Sequence, residues 1–195
     1  MTDILTPTDP ARTALVLMDF QPGGLGMFPD AETLLARAGD ALAWARKTQV
    51  EVCFVRVAFT EQDHQAIPTH NKTFAPVGQH RLFGVDAPET QVHPSLDIRE
   101  EDLVVRKTRV GAFSTTDLHT RLHARGIDTL VLAGIATSGA VLSTLRHAAD
   151  PDYRTFVLAD ATADPDTEIH RVLTEKIFPT QADVITTPDL PALAF

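Results

Sequence analysis

The chain has 195 residues, 44% of them apolar and 22% charged, enough for a single domain with a full core over residues 1–195. Its 17 basic and 26 acidic residues leave a formal charge of −9, a field that repels nucleic-acid phosphates and anionic membranes. One cysteine, Cys53, rules out an internal disulfide, and no apolar run approaches the roughly 20 residues that span a bilayer.

Met1–Pro10 carries acids and prolines but no basic segment followed by an apolar stretch, so it does not read as a secretory signal. The expectation is a cytoplasmic protein with a small-molecule ligand and neither nucleic acid nor membrane as partner. Thr13–Asp19 opens the fold as a near-continuous apolar run, the pattern of a parallel strand covered on both faces. Asp30–Thr48 follows as a helix, with Leu34, Leu35, Ala38, Leu42 and Ala45 at spacings of three and four and Asp30 as its N-cap. Val50–Ala58 is the second strand. Cys53 lies inside it between Val52 and Phe54, where a small buried hydrophobe is expected.

Phe59–Glu101 breaks the alternation, with prolines at 68, 76, 88 and 94, histidines at 64, 70, 80 and 93, and little periodicity. A connection of this length reads as a lid, a binding loop or an oligomer contact. The histidines form neither an i, i+4 pair nor a tight ligand cluster, so they read as loop histidines rather than a metal site. Regular alternation then resumes. Strands are predicted at Leu103–Arg106, Thr129–Ala133, Thr155–Leu158 and Asp183–Thr186, and helices at Thr115–Arg125, Ser138–Ala149 and Thr167–Phe178. Gly126 sits where a helix-ending glycine belongs. Six strands alternating with helices predict an α/β domain with a parallel sheet and right-handed crossovers.

In such sheets ligands bind beyond the carboxyl ends of the strands. Asp19 ends the first strand, and a carboxylate after an apolar run is costly to bury unless paired or protonated. Alone, it reads either as a turn or cap aspartate or as a functional acid. Arg106, Lys107 and Arg109 place three cations within four residues of an acidic chain, and strand alternation sends Arg106 away from Lys107. They are a solvated strand end or a site for negative charge. The planar fork of Arg109 matches a carboxylate. The fourth strand runs into Gly134-Ile135-Ala136-Thr137-Ser138-Gly139-Ala140-Val141, a small-residue turn opening a helix, whose N–H groups favour an oxygen or negative charge.

Together these pieces resemble the isochorismatase-like (cysteine hydrolase) superfamily, which includes isochorismatases, nicotinamidases and carbamoyl-group amidohydrolases. The resemblance rests on Asp19-Phe20-Gln21, on Lys107 followed by Ala112-Phe113 and Thr116-Asp117-Leu118, and on Gly134 with Thr137 and residue 140. His93-Pro94, Asp160-Ala161 and Ile177-Phe178-Pro179 add to it. It implies a three-layer α/β/α domain with a six-stranded parallel sheet of order 3-2-1-4-5-6, and a homo-oligomer, dimer or tetramer. It sets Asp19, Lys107 and residue 140 at the catalytic positions. Gln21, Arg109, Phe113, Ala136, Thr137, Ser138 and Gly139 fall around the substrate.

Residue 140, where the resemblance places a nucleophilic cysteine, is alanine. Ser138 and Ser143 flank it on other helical faces, so thiol-type nucleophilic catalysis is not expected. Some isochorismatases of the superfamily also lack the cysteine and hydrolyse a vinyl ether. That chemistry needs only a proton donor and water, with Asp19 as the general acid. The alternatives are an inactive ligand-binding homologue or a Cys-to-Ala form of an amide or imide hydrolase. The segment after the second strand lacks the acid and two close histidines of the nicotinamidase metal site, and no glycine-rich nucleotide fingerprint follows the first strand, so neither metal nor cofactor is expected.

Overall fold

The computed structural model describes residues 7–193. The first six residues of the stretch read as carrying no signal therefore lie outside the described residues.

The strands are β1 (Thr13–Met18), β2 (Glu51–Val57), β3 (Leu103–Lys107), β4 (Thr129–Ile135), β5 (Arg154–Ala163) and β6 (Asp183–Ile185). All pair in parallel, in the order β3-β2-β1-β4-β5-β6. This is the expected six-stranded sheet. The strand order reverses between β1 and β4, which is where a doubly wound sheet opens a crevice.

Alternation along β1 explains the two cores. Leu15 and Leu17 enter one cluster, covered by α2 (Ala31–Thr48) through Leu34, Ala38, Ala41, Leu42, Trp44 and Ala45. Ala14, Val16 and Met18 enter the other. That face is covered by α5 (Leu118–Ala124) and α6 (Leu142–Ala149), through Leu118, Leu122, Leu145 and Ala148. Every residue of β1 is buried because both faces are covered, and this is why its sequence is continuous rather than alternating.

The helices depart from the sequence pattern at their ends. Asp30 stands at the N-cap of α2 but makes no capping bond. Its ψ of 27° is far from the extended value that aims a cap side chain at the first free N–H groups. The helix predicted from Thr115 starts at Leu118, and the one predicted to run to Phe178 stops at α7 (Thr167–Val172), then widens into a π turn over Leu173–Ile177. Gly126 adopts φ 71°, as a helix-ending glycine should. The Phe59–Glu101 segment is more ordered than its composition suggests. It contains α3 (Glu61–Gln65) and α4 (Ala75–His80), and Phe59, Ile67, Phe74 and Val77 form a third small core.

Gly134 is required by backbone proximity. It has φ 146°, and a Cβ added there would stand 2.3 Å from the carbonyl oxygen of Met18 on the neighbouring strand. Gly134→Ala should therefore cost about 3 kcal/mol or more, read from urea unfolding, because neither backbone can move without breaking the β1–β4 ladder.

Candidate active site

Three strand ends converge at the crevice. β1 ends at Met18, and Asp19 follows with φ 59°, a left-handed conformation that aspartate tolerates better than most residues. This bend turns the carboxylate into the fold, where α1 (Pro22–Leu25) follows closely. β3 ends at Lys107, and its burial alternates residue by residue, so Lys107 points inward while Arg106 points out to bond Asp63 at 2.7 Å. Lys107 Nζ donates to Asp19 Oδ2 at 2.6 Å and to the Val110 carbonyl at 2.6 Å. An ammonium has three donors, so one remains. The Lys107 side chain is 2% exposed and that of Asp19 15%.

Burial pushes the Asp19 carboxyl above the ordinary aspartate value, while the Lys107 charge and hydrogen bond, with the nearby Val57 backbone amide, pull the other way. Oδ1 of Asp19 is buried and has no hydrogen-bond partner among the described residues. Asp19 borders a cavity of about 190 Å³ whose other walls are mostly apolar: Met27, Phe28, Val57, Phe83, Ile135 and Ala136. A carboxyl raised by burial keeps its proton to higher pH than an exposed aspartate and is suited to act as an acid.

The Gly134–Val141 turn takes a form that the sequence does not announce. β4 runs on to Ile135, the Ile135–Ala136 peptide is cis, and Thr137–Val141 forms a π turn before α6. Single π turns recur at functional sites. The turn is tied down from outside. The Ser138 N–H donates to Asp164 Oδ2 at 2.8 Å, and the Thr137 hydroxyl and His170 Nδ1 share a hydrogen bond of 2.8 Å. Burial lowers the His170 pKa, which favours its neutral form, although Asp164 opposes the shift.

The expected site residues divide accordingly. Asp19, Lys107 and Ala136 come together. Gln21 is buried, and its amide is committed to backbone: Nε2 donates to Val57 O and Thr90 O, and Oε1 accepts from Val57 N. It joins the end of β2 to the following segment and so shapes the cavity it borders. Arg109 and Phe113 line a different cavity. The Ser138 N–H expected to meet substrate is already taken by Asp164, and Thr137 is fully buried. Gly139 packs toward the Lys107 loop, where an added Cβ would lie 3.8 Å from Val110. Ala140 is buried with Ala112, Phe113 and Val141.

Neither flanking serine borders the Asp19 cavity. The Cys53 thiol is buried, and its pKa is pushed up to about 12, so it is no thiolate. Two of the loop histidines have local partners: His64 bonds Leu82 O and stacks on Phe59, and His93 bonds Ser95. Among the described residues no three His, Cys, Asp or Glu gather in a metal-binding group.

Asp164 and His170, which anchor the turn, were not legible in the sequence, because both lie beyond β5 and reach the turn only through the β4–β5 pairing. The wall residues Met27 and Phe28 follow α1, and Phe83 falls in the long segment after β2.

The isochorismatase domain model matches residues 13–189. An uncharacterised isochorismatase family protein of Bacillus subtilis, YwoC, is 32% identical over 86% of each chain. Ureidoacrylate amidohydrolase RutB of Methylobacterium radiotolerans is 33% identical over 84% of this chain and 72% of its own. An isochorismatase family protein of Burkholderia thailandensis superposes with a TM-score of 0.82 at 29% identity, over 96% of this chain and 97% of the other. The fold, the strand-end site and these similarities agree, and the chain belongs to the isochorismatase family.

Proposed function

We propose that this isochorismatase-family hydrolase works by acid catalysis from Asp19, without a nucleophilic side chain, on a small substrate with one polar end. The observation that carries the reading is the unpartnered Oδ1 of a buried carboxyl, held by Lys107 in an apolar cavity of about 190 Å³. The chemistry that suits it is hydrolysis of a vinyl ether. Asp19 gives its proton to the terminal vinyl carbon, and the ether carbon becomes an oxocarbenium ion. Water adds to that carbon, returns a proton to Asp19, and the hemiketal collapses to a carbonyl compound and an alcohol. Lys107 is not itself a wall of this cavity, so its part is to hold and orient the Asp19 carboxyl.

The test is a substrate screen of wild type and Ala140→Cys side by side, with isochorismate, simple amides and imides. Cleavage of an enol ether by wild type, with no gain from the cysteine, supports the reading. Amidase activity appearing only in Ala140→Cys replaces it with a C–N hydrolase lacking its nucleophile, which the likeness to ureidoacrylate amidohydrolase favours as second choice. Absence of turnover in both leaves a ligand-binding homologue and overturns the proposal.

A further inference from the structure

The cavity that holds Arg109 is separate from the Asp19 cavity. It measures about 370 Å³ and shares no lining residue with it. Between them lies the small core of Phe59, Phe74 and Val77, against which Val57 and Phe83 pack from the Asp19 side and Val110 from the other. The polar side chains around the second cavity are Asn71, Thr73, Arg109, Ser114, Ser143 and His147. Each can donate hydrogen bonds, and none is a carboxylate. In a chain of net charge −9, six donor side chains with no acid among them is an unusual concentration.

Arg109 is the centre of the group. Many arginines of the fold pair with acids, among them Arg12, Arg46, Arg81, Arg106, Arg125 and Arg171, whereas Arg56 is held by the Val85 and Thr90 carbonyls. Arg109 has no acidic partner among the described residues. Its Nη1 donates to the Thr108 carbonyl at 2.5 Å, and its guanidinium lies over the Phe74 ring, 5.4 Å from the centroid. That stack holds the plane of the fork while leaving edge donors unspent. His147 is likewise held flat against Phe113, with ring centroids 5.1 Å apart. Oδ1 of Asn71 is occupied by the N–H groups of Thr73 and Phe74, which leaves its amide donors for a ligand. Loop and helix close on each other beneath, where a Cβ at Gly111 would stand 3.3 Å from that of Ser143.

We infer that this cavity is a binding site for a small tetrahedral dianion, inorganic phosphate or the phosphate group of a monoester, distinct from the reaction centre. Arginine and hydroxyl donors lining one cavity suit phosphate oxygens, and the charge on the guanidinium makes those bonds stronger than neutral ones. The site lies on the segment that also positions the catalytic lysine, because Val110, the residue after Arg109, accepts the Lys107 ammonium bond through its carbonyl.

Isothermal titration of the whole chain with inorganic phosphate, at ionic strength matched with sodium chloride, tests the inference. The expected result is saturable binding of one phosphate per chain. Arg109→Gln should weaken it at least tenfold. His147→Phe, which keeps the ring stack but removes the nitrogen donors, should weaken it several-fold with an unchanged melting temperature. Asp19→Asn should leave it unaltered, whatever reaction the enzyme proves to catalyse. Absence of saturation by about 10 mM phosphate in wild type would overturn the site. So would wild-type affinity in both Arg109→Gln and His147→Phe, and acetate binding as tightly as phosphate would overturn the assignment to a tetrahedral dianion. Phosphate and a phosphate monoester compared at equal concentration tell a free ion from an esterified ligand by which binds more tightly.

Discussion

Asp19→Asn is expected to lower turnover by about 10²–10⁴-fold, the usual contribution of a positioned general acid, while the protein stays folded. Asparagine keeps the size of the side chain, and its carbonyl oxygen can still accept from Lys107, but it has no transferable proton. The pH profile separates loss of the acid from a structural disturbance. The protonated carboxyl is the reactive form, so the wild-type rate is full below its pKa and falls as pH rises through it. Burial raises that pKa over the ordinary aspartate value, which moves the fall to higher pH. In the variant this limb should vanish from whatever residual rate remains. Undiminished turnover on the wild-type substrate would remove Asp19 from the mechanism.

Lys107→Met should destabilise the fold by about 3–5 kcal/mol at neutral pH, because it leaves a buried carboxylate without its counter-charge. It also removes the tie to Val110 that holds the following loop. The orphaned carboxyl has its folded-state pKa raised further, so its unfavourable effect is absent below the unfolded-state value and grows as pH rises toward the folded-state value. Urea midpoints at acid and neutral pH should differ accordingly, with the larger loss at neutral pH. The double variant Asp19→Asn/Lys107→Met should recover part of the loss, since neither buried charge then remains. A loss that is the same at both pH values would mean that lost packing, rather than lost charge pairing, dominates.

The strands were legible because each is a short apolar run bounded by turns, and β1 showed burial on both faces through its lack of alternation. The strand order came with the resemblance. Asp19 and Lys107 could be found because a charge at the end of an apolar strand is costly unless something meets it, and here each meets the other. The helix starts were less legible. The turn before α6 became a π turn, and α5 began three residues late, since the Ala112 and Leu118 N–H groups donate to the Thr144 and Thr116 hydroxyls and hold the preceding loop.

By itself the sequence determined the alternation of apolar strands with helices and the charges at two strand ends, while the resemblance supplied the layers and marked Asp19, Lys107 and residue 140 as positions of interest. What the sequence determined is local, set by hydrophobic period, residue type or position at a strand end. Only the tertiary structure decided which polar groups were already occupied. Gln21, Thr137 and the Ser138 N–H look available along the chain, yet they are spent on Val57, Thr90, His170 and Asp164, up to 69 residues away. Arg109 follows Lys107 by two residues but leaves the strand, lies over Phe74 and faces a second cavity. A donor can serve a ligand only if no other part of the fold has claimed it, and those claims come from segments that sequence spacing does not relate.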